Sequence, residues 1–298
     1  CLMNMAQNVL NNSGIIKMDK WQDKTHAALE RKKQLKAFGP YAAGIFIEGK
    51  YGSFIVDPED SSVARDLLHN GEYSEQELEV ANTFINEHSN VLIVGAHIGA
   101  LAIPLAKHCK HMDVVEANPD TQKFLKINLI INECDNVTLH CFAASDRVEK
   151  IEFLKNRDNS GGSKRKPSTN CIEYTYDNPE IITINAYPLD DFISDKIYDI
   201  IIMDIEGSEY FALNGMHNVL KKANALAIEF LPRHLRDVSG VTGAQFAALL
   251  KPHFNWLAIP GVPTLIPQSA FENALQHLYE NNQSANAIYF LKHLPKIR

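Results

Sequence analysis

Two carboxylates stand two positions apart in the run M-D-I-E-G-S-E, which directly follows an apolar segment of the chain. Asp204 and Glu206 would therefore lie at the end of a buried strand, and ligands of open α/β sheets bind along that carboxyl edge. There, one carboxylate can orient the ammonium group of a ligand while another removes a proton as a general base. His234 follows in a later loop and is a second candidate base, because imidazole titrates near neutral pH. We predict Asp204, Glu206 and His234 as catalytic residues and no metal ion, although clustered oxygens also suit Mg²⁺.

A glycine-bearing turn, V-G-A-H-I-G, ends an earlier apolar run. Gly95 and Gly99 let the backbone turn tightly and let a ligand approach bare amides, although such a turn can also be purely structural. The dinucleotide fingerprint G-x-G-x-x-G would need glycine also at the positions of His97 and Ala100. The spacing therefore disfavours a nicotinamide-dependent oxidoreductase.

A third carboxylate, Glu116, closes the next apolar run, 21 residues after Gly95. At this spacing a carboxylate accepts hydrogen bonds from the two vicinal hydroxyls of a ribose. Asn118 follows in the same turn and would assist. We therefore predict a nucleoside-binding site built from Gly95, Glu116 and Asn118.

These residues need a parallel sheet to bring them together, and the chain alternates between short apolar runs and amphipathic runs. The strands that we predict are Val91–Val94, Met112–Glu116, Val137–Cys141, Tyr198–Met203, Ala225–Phe230, Trp256–Ile259 and Ala287–Leu291. The helices that we predict between them are Ala100–His108, Pro119–Asn132, Tyr210–Leu220, Ala244–Leu250 and Ala270–Tyr279. The expected fold is α/β and Rossmann-like, with one seven-stranded, mostly parallel sheet and helices on both faces.

We predict two regions, an N-terminal extension over residues 1–84 and a main domain over residues 85–298 with an insertion at 147–187. The extension would consist of an exposed helix, a β-hairpin and two lid helices, at Asp19–Ala37, Gly44–Asp57, Ser61–Leu68 and Ser74–Glu87. Within the insertion, the polar, glycine-bearing segment Asn156–Thr169 is expected to be a mobile loop. Its residues Asn159–Ser163 would form a flap over the acceptor, and the basic residues 164–166 would attract an anionic acceptor.

The ordered set of motifs resembles that of the FkbM-type methyltransferases. The similarity covers residues from about 52 to 235 and rests on VLIVGAHIG (91–99), VEANP (115–119), AASD (143–146), NSGGS (159–163), PLDDF (188–192), MDIEGSE (203–209) and AIEF (227–230). The resemblance implies the class I methyltransferase fold and S-adenosylmethionine as the cofactor. It also implies methyl transfer, usually to a hydroxyl of a sugar, a polyketide or a related small metabolite.

The resemblance further implies roles for individual residues in binding the cofactor. The methionine part would be flanked by Gly95, His97 and Gly99, and Asp204 would approach the methionine end or the acceptor. Glu116 would hold the ribose, and the adenine would lie against Phe142, Ala144 and Ser145. Independently of the resemblance, Tyr73 and Glu75 precede the first strand and would close over the methionine end, although they can also simply begin a helix.

The sequence departs from the family pattern at two positions. Ile93 stands where the family usually has an aspartate that favours the positive end of the cofactor, and His97 stands where it usually has asparagine. Two alternatives to an active methyltransferase therefore stay open: a catalytically degenerate binding module and, with less support, a nicotinamide-dependent oxidoreductase.

The composition limits the partners and the location that we expect for the protein. The formal net charge of −7 disfavours non-specific nucleic-acid binding, which needs a basic surface. The longest apolar stretch, at residues 91–106, is interrupted by His97, Pro104 and glycines, so we predict no membrane span. Five cysteines without a C-x-x-C pair, and the lack of a secretion signal in residues 1–12, indicate a reduced, cytoplasmic protein. We expect a small-molecule acceptor, with the charged 19–37 helix as a candidate homodimer contact.

Overall fold

A computed structural model describes residue 39 and residues 41–294 of the chain. The exposed helix predicted at Asp19–Ala37 lies outside these described residues. No helix within them is both long and apolar enough to cross a membrane.

The elements alternate along the chain. The strands are β1 (Ile45–Glu48), β2 (Ser53–Val56), β3 (Asn90–Val94), β4 (His111–Val115), β5 (Val137–His140), β6 (Ala143–Ala144), β7 (Glu149–Lys155), β8 (Lys164–Arg165), β9 (Glu180–Tyr187), β10 (Ile200–Met203), β11 (Ala225–Phe230), β12 (Trp256–Ala258), β13 (Ile266–Pro267) and β14 (Ala285–Leu291). The α-helices are α1 (Val63–Asn70), α2 (Glu75–Asn82), α3 (Ala102–Ala106), α4 (Pro119–Ile131), α5 (Ile172–Thr175), α6 (Asp190–Ile193), α7 (Glu209–Asn214), α8 (His217–Lys222), α9 (Pro232–His234), α10 (Gly243–Leu250) and α11 (Phe271–Glu280).

The large sheet has eight strands in the order β13-β12-β14-β11-β10-β3-β4-β5. Five neighbouring strands of this sheet run parallel, namely β11, β10, β3, β4 and β5. The strand β14 is antiparallel to both of its neighbours, β11 and β12. All seven predicted strands are present, and the short β13 adds an eighth at the edge. The α/β, Rossmann-like fold predicted from the sequence is therefore confirmed.

Each face of this sheet buries its own apolar cluster, because successive strand residues point to opposite sides. On one face, Leu92 and Val94 pack with residues of α7, α8, α10 and α11. On the other face, Val91 and Ile93 pack with α1, α2, α3 and the β1–β2 hairpin. The hairpin and lid helices of the extension thus share a core with the main sheet.

Two amide side chains, one on α4 and one directly after its last residue, attach the hairpin to the sheet. Asn128 and Asn132 accept hydrogen bonds from the backbone N–H groups of Ile55 and Ser53, at 2.6 and 2.9 Å, and donate to the carbonyls of the same two residues. These bonds satisfy the outer edge of β2, which would otherwise be open for pairing. They also fix the extension above the glycine turn, because Asn128 donates to the carbonyl of Ile98 as well.

The helix predicted at Tyr210–Leu220 is wrong as a single element, because the chain breaks there into α7 and α8. A Cβ atom on Gly215, at the break, would lie 1.9 Å from the carbonyl oxygen of Ser145. The carboxylate of Asp190 then accepts the N–H groups of Asn218 and Val219 in the first turn of α8. The glycine allows a close backbone approach, and the aspartate caps a new helix.

The insertion also differs from its prediction, because much of it is a second sheet. β6, β9, β7 and β8 form four strands in that order, and β7 pairs with β9 along seven residues. The segment predicted as a loop, Asn156–Thr169, contains a 3₁₀ turn at Ser160–Gly162 and the strand β8. A two-residue strand carries too little alternation to be detected from sequence.

Candidate functional site

Two cavities open at the carboxyl edge of the large sheet, where β3, β4 and β10 end. The smaller cavity has a volume of about 60 Å³ and the larger about 290 Å³. Gly95, His97, Gly161 and Asp204 line both, so the two cavities meet at the glycine turn. Glu116 borders only the smaller cavity, and Tyr73 only the larger.

The glycine turn and the end of β10 approach each other more closely than any side chain would allow. A Cβ atom on Gly95 would lie 1.9 Å from the carbonyl oxygen of Asp204, and the φ of Gly95 is +93°. His97 has a φ of +50°, a left-handed conformation in which asparagine and histidine are enriched. His97 is therefore a residue type that adopts this turn more readily than most.

Glu116 lies at the end of β4 with its carboxylate turned toward this loop. Its two oxygens accept the backbone N–H groups of His97, at 2.8 Å, and of Asn118, at 2.7 Å. A carboxylate has about four acceptor positions, so each oxygen can still accept a hydroxyl donor. Burial raises the pKa of Glu116 to about 7, although the backbone bonds oppose this shift.

The smaller cavity has an apolar side that suits a flat aromatic ring. Phe142 and Ala144 line it, together with Ile151 and Phe153 of the second sheet. Arg165 borders the same cavity and is held by the Ser145 hydroxyl, at 2.9 Å. The site thus combines an apolar wall with the carboxylate of Glu116.

Three of the predicted cofactor residues line neither of these two cavities. Gly99 packs against side chains of α3 and α4, and Asn118 caps α4 by accepting the N–H of Asp120 at 3.1 Å. Asn118 faces a third cavity, of about 730 Å³. Ser145 is fully buried and donates to Glu149 at 2.7 Å. The structure places these residues behind the walls of the site.

The larger cavity ends in a group of carboxylates. Asp204 is open to it, and Glu77, Glu206 and Glu229 also line its wall. Desolvation, followed by repulsion from Glu206 and Glu209, raises the pKa of Asp204, and burial with repulsion from Asp204 raises that of Glu229. One carboxylate oxygen of Asp204 lies within 4.8 Å of one of Glu229, and at this distance two negative charges repel each other.

The surroundings of Glu206 shift its pKa in the opposite direction from that of Asp204. Its Oε2 atom lies 2.9 Å from the Lys164 ammonium and 3.1 Å from Nδ1 of His234. Although burial opposes ionisation, these two partners hold the pKa of Glu206 well below its usual range. Burial and the charge of Lys164 lower the pKa of His234. His234 lies behind Glu206 and borders neither cavity.

The basic run of the insertion is neutralised by carboxylates of the protein. Lys164 pairs with Glu206, while Arg165 and Lys166 pair with Glu149 and Glu152 at 2.7 and 2.8 Å. The predicted attraction of an anionic acceptor by these three residues gains no support from these contacts.

Sequence reasoning missed several polar residues of the site. Glu77 on α2 reaches the larger cavity, and Asp60 contacts Ser160 across 100 positions of the chain. Neither residue belongs to a ligand-binding motif, because the S-x-x-E pattern of Ser74 and Glu77 indicates only a helix start. Contacts of this range cannot be derived from spacing. Lys164 was predicted to face an acceptor and instead fixes the charge of Glu206.

Two sets of three side chains in the described residues could hold a metal ion, with donor atoms within 4.8 Å of one another. They are Glu206, Glu229 and His234, and Asp204, Glu209 and Glu229. The ammonium of Lys164 already supplies positive charge beside the first set.

The parallel sheet, the glycine turn after β3 and the carboxylate after β4 together define a class I methyltransferase fold. The sequence profile of the FkbM methyltransferase domain matches residues 94–258, which is more than half of the chain. The chain therefore belongs to the FkbM methyltransferase family.

Comparison with curated proteins gave no match, whereas solved structures of similar fold exist. The FkbM methyltransferase of Methylobacillus flagellatus KT shares 18% identity at a TM-score of 0.41, over 69% of this chain and 44% of its own. TYW2 of M. jannaschii, in complex with AdoMet, shares 18% identity at a TM-score of 0.35, over 64% of each chain. Precorrin-6y C5,15-methyltransferase of Geobacter metallireducens GS-15 shares 12% identity at a TM-score of 0.38, over 74% of this chain and 88% of its own. The chain thus spans less than two thirds of the first two proteins.

The contact between Gly95 and Asp204 yields a stability prediction. We expect Gly95→Ala to lower the free energy of unfolding by about 2–5 kcal/mol, because the methyl group adds overpacking to the strain of a positive φ. Gly261→Ala is the matched control: the φ of Gly261 is +84°, and a Cβ there would meet no atom within 4 Å. Urea denaturation should give this control a loss of only about 1–2 kcal/mol. Equal losses in the two variants would contradict the close contact.

Proposed function

We propose that the chain is an S-adenosylmethionine-dependent methyltransferase that methylates a hydroxyl oxygen of a small-molecule acceptor. The observation that carries this proposal is the position of Glu116. Its carboxylate accepts the backbone N–H of His97 in the glycine turn, and it lines the same cavity as the apolar side chains of Phe142 and Ala144. One cavity offers an apolar surface and hydroxyl acceptors, and the other offers a base.

The smaller cavity suits the adenosine part of the cofactor. The free acceptor positions of Glu116 match two vicinal ribose hydroxyls, and Phe142 with Ala144 offers an apolar contact for the adenine. His97 and Asn118 contribute through their backbone N–H groups, which orient the carboxylate. In this proposal Gly99 supports the glycine turn and Ser145 supports the apolar wall.

The larger cavity suits the methionine end, which carries positive charge. Tyr73, Glu77 and Asp204 all border this cavity. Ile93, which replaces the usual family aspartate, contributes an apolar part of the same wall. Glu77 supplies a negative charge that Ile93 lacks, so the departure at position 93 is compatible with an active enzyme.

When bound, S-adenosylmethionine supplies a sulfonium methyl group that an acceptor oxygen can take by nucleophilic displacement. The chain's own task is to align the acceptor and to receive its proton. Asp204 is the better base, because desolvation at the cavity wall and then the negative charge of Glu206 raise its pKa. Lys164 and His234 contribute indirectly, since they keep Glu206 ionised. Two carboxylates with pKa values moved in opposite directions are typical of acid–base sites.

Removal of the Glu116 carboxylate tests the cofactor assignment. Isothermal titration calorimetry should show that Glu116→Ala weakens the binding of S-adenosylhomocysteine by about ten- to a hundredfold, because two charge-assisted hydrogen bonds are lost. Glu280→Ala, which removes an exposed carboxylate, is the control and should bind as the wild type does. NADH should not bind to any of the three proteins. Equal affinity of Glu116→Ala and wild type, or binding of NADH, would overturn the proposal.

The pKa of Asp204 tests the assignment of the base and needs no acceptor. In carboxyl ¹³C NMR titrations, with the signal assigned by its loss in Asp204→Asn, we expect the pKa of Asp204 to lie well above its usual 3.8. Glu206→Gln removes a like charge, so this pKa should fall by about one pH unit. Since the base must be ionised, methyl transfer by this variant should stay fast to a lower pH than in the wild type. Glu79→Gln, which removes an exposed charge, should leave the titration unchanged. An unshifted or raised pKa in Glu206→Gln would refute this coupling.

A further inference from the structure

One hydrogen-bonded link joins three segments that are far apart in sequence. Nε2 of His97, in the glycine turn, lies 2.6 Å from the Ser160 hydroxyl of the flap (Asn159–Ser163). Asp60, in the N-terminal extension, accepts from the same hydroxyl and from the backbone N–H of Ser160 at 3.0 Å. Asp60 is 2% exposed, and its other oxygen accepts the N–H of Ser62 at 2.9 Å. The Asp60 end of the link is therefore buried and fixed, whereas His97 and Ser160 are half-buried.

The protons in this link have a defined order. A carboxylate only accepts, so the hydroxyl of Ser160 donates to Asp60 and must accept from Nε2–H of His97. Burial lowers the pKa of His97, which favours the neutral ring with its proton on Nε2. The link thus forms with no charge on the imidazole. The adjacent Ser61 adds a second attachment of the extension to the insertion, because its N–H donates to the carbonyl of Asp158 at 2.7 Å.

The flap covers the smaller cavity. Ser160, Gly161 and Ser163 line it, opposite Glu116 and Phe142. With the flap in this position the cavity has a volume of about 60 Å³. Pockets that enclose ligands of drug-like size have about 300–1,000 Å³. A nucleoside is too large for a cavity of this volume. Movement of the flap away from the glycine turn would widen the cavity, and it would separate Ser160 from His97 or from Asp60.

We infer that Asp60, Ser160 and His97 form a latch through which the N-terminal extension positions the flap and controls the exchange of the cofactor. The inference rests on the proposed function, because the gated ligand is the nucleoside cofactor. Asp60 and Ser160 act as positioning residues. Breaking the latch makes the open form more frequent, so the ligand enters and leaves faster.

Surface plasmon resonance with S-adenosylhomocysteine on immobilised full-length protein tests the latch. We expect Ser160→Ala to raise both the association and the dissociation rate constant by about tenfold, in line with the loss of one to two hydrogen bonds. The dissociation constant should change much less than either rate. Asp60→Asn should raise both rates in the same direction, which guards against a defect particular to one variant. Circular dichroism melting verifies that each variant is folded.

Ser168→Ala is the matched control, because Ser168 lies in the same insertion but donates to the carbonyl of Asp237. Its rates should equal those of the wild type. A faster dissociation with unchanged association would mean that Ser160 is an ordinary ligand contact, and unchanged rates in both latch variants would exclude the latch. Either result would leave the proposed function intact if the wild type binds. Failure of the wild type to bind would overturn the proposed function and the latch together.

Discussion

The site depends on one close backbone contact, between Gly95 at the end of β3 and the carbonyl of Asp204 at the end of β10. These strands are neighbours in the sheet and run parallel, so both loops leave the same edge. Because Gly95 has no side chain, the two loops meet directly, and the Asp204 carboxylate stands at the junction of both cavities. Any larger residue would push the two loops apart and move Asp204 away from the glycine turn.

A second constraint is electrostatic. Several carboxylates face one cavity, and burial penalises the ionised form of each. Lys164 and His234 stabilise the charge of Glu206 alone, and this fixed charge increases the affinity of Asp204 for a proton. Lys164 belongs to β8 of the insertion, so the second sheet contributes to the charge of Glu206 as well as to the wall of the smaller cavity. The insertion and the extension are therefore parts of the site, although neither carries a recognisable nucleotide-binding motif.

The sequence was sufficient for features that depend on local pattern and spacing. The seven principal strands followed from their apolar runs, and Gly95, Glu116 and Asp204 followed from their positions at strand ends. Features that depend on distant pairing could not be predicted. The two-residue β8 has no alternation of its own, and its pairing with β7 decides that Lys164 reaches Glu206. Likewise, the break between α7 and α8 arises because Gly215 approaches Ser145 and Asp190 caps α8, and both partners lie far away in the sequence.

The most direct test of the account is a crystal structure of the protein with S-adenosylhomocysteine. The account predicts that both ribose hydroxyls lie within hydrogen-bond distance of Glu116, that the adenine contacts Phe142, and that the homocysteine end points toward Tyr73 and Asp204. The flap at Ser160 should be displaced from its present position or reclosed over a wider cavity. A ligand bound away from Glu116, or a ribose that makes no contact with its carboxylate, would contradict the account.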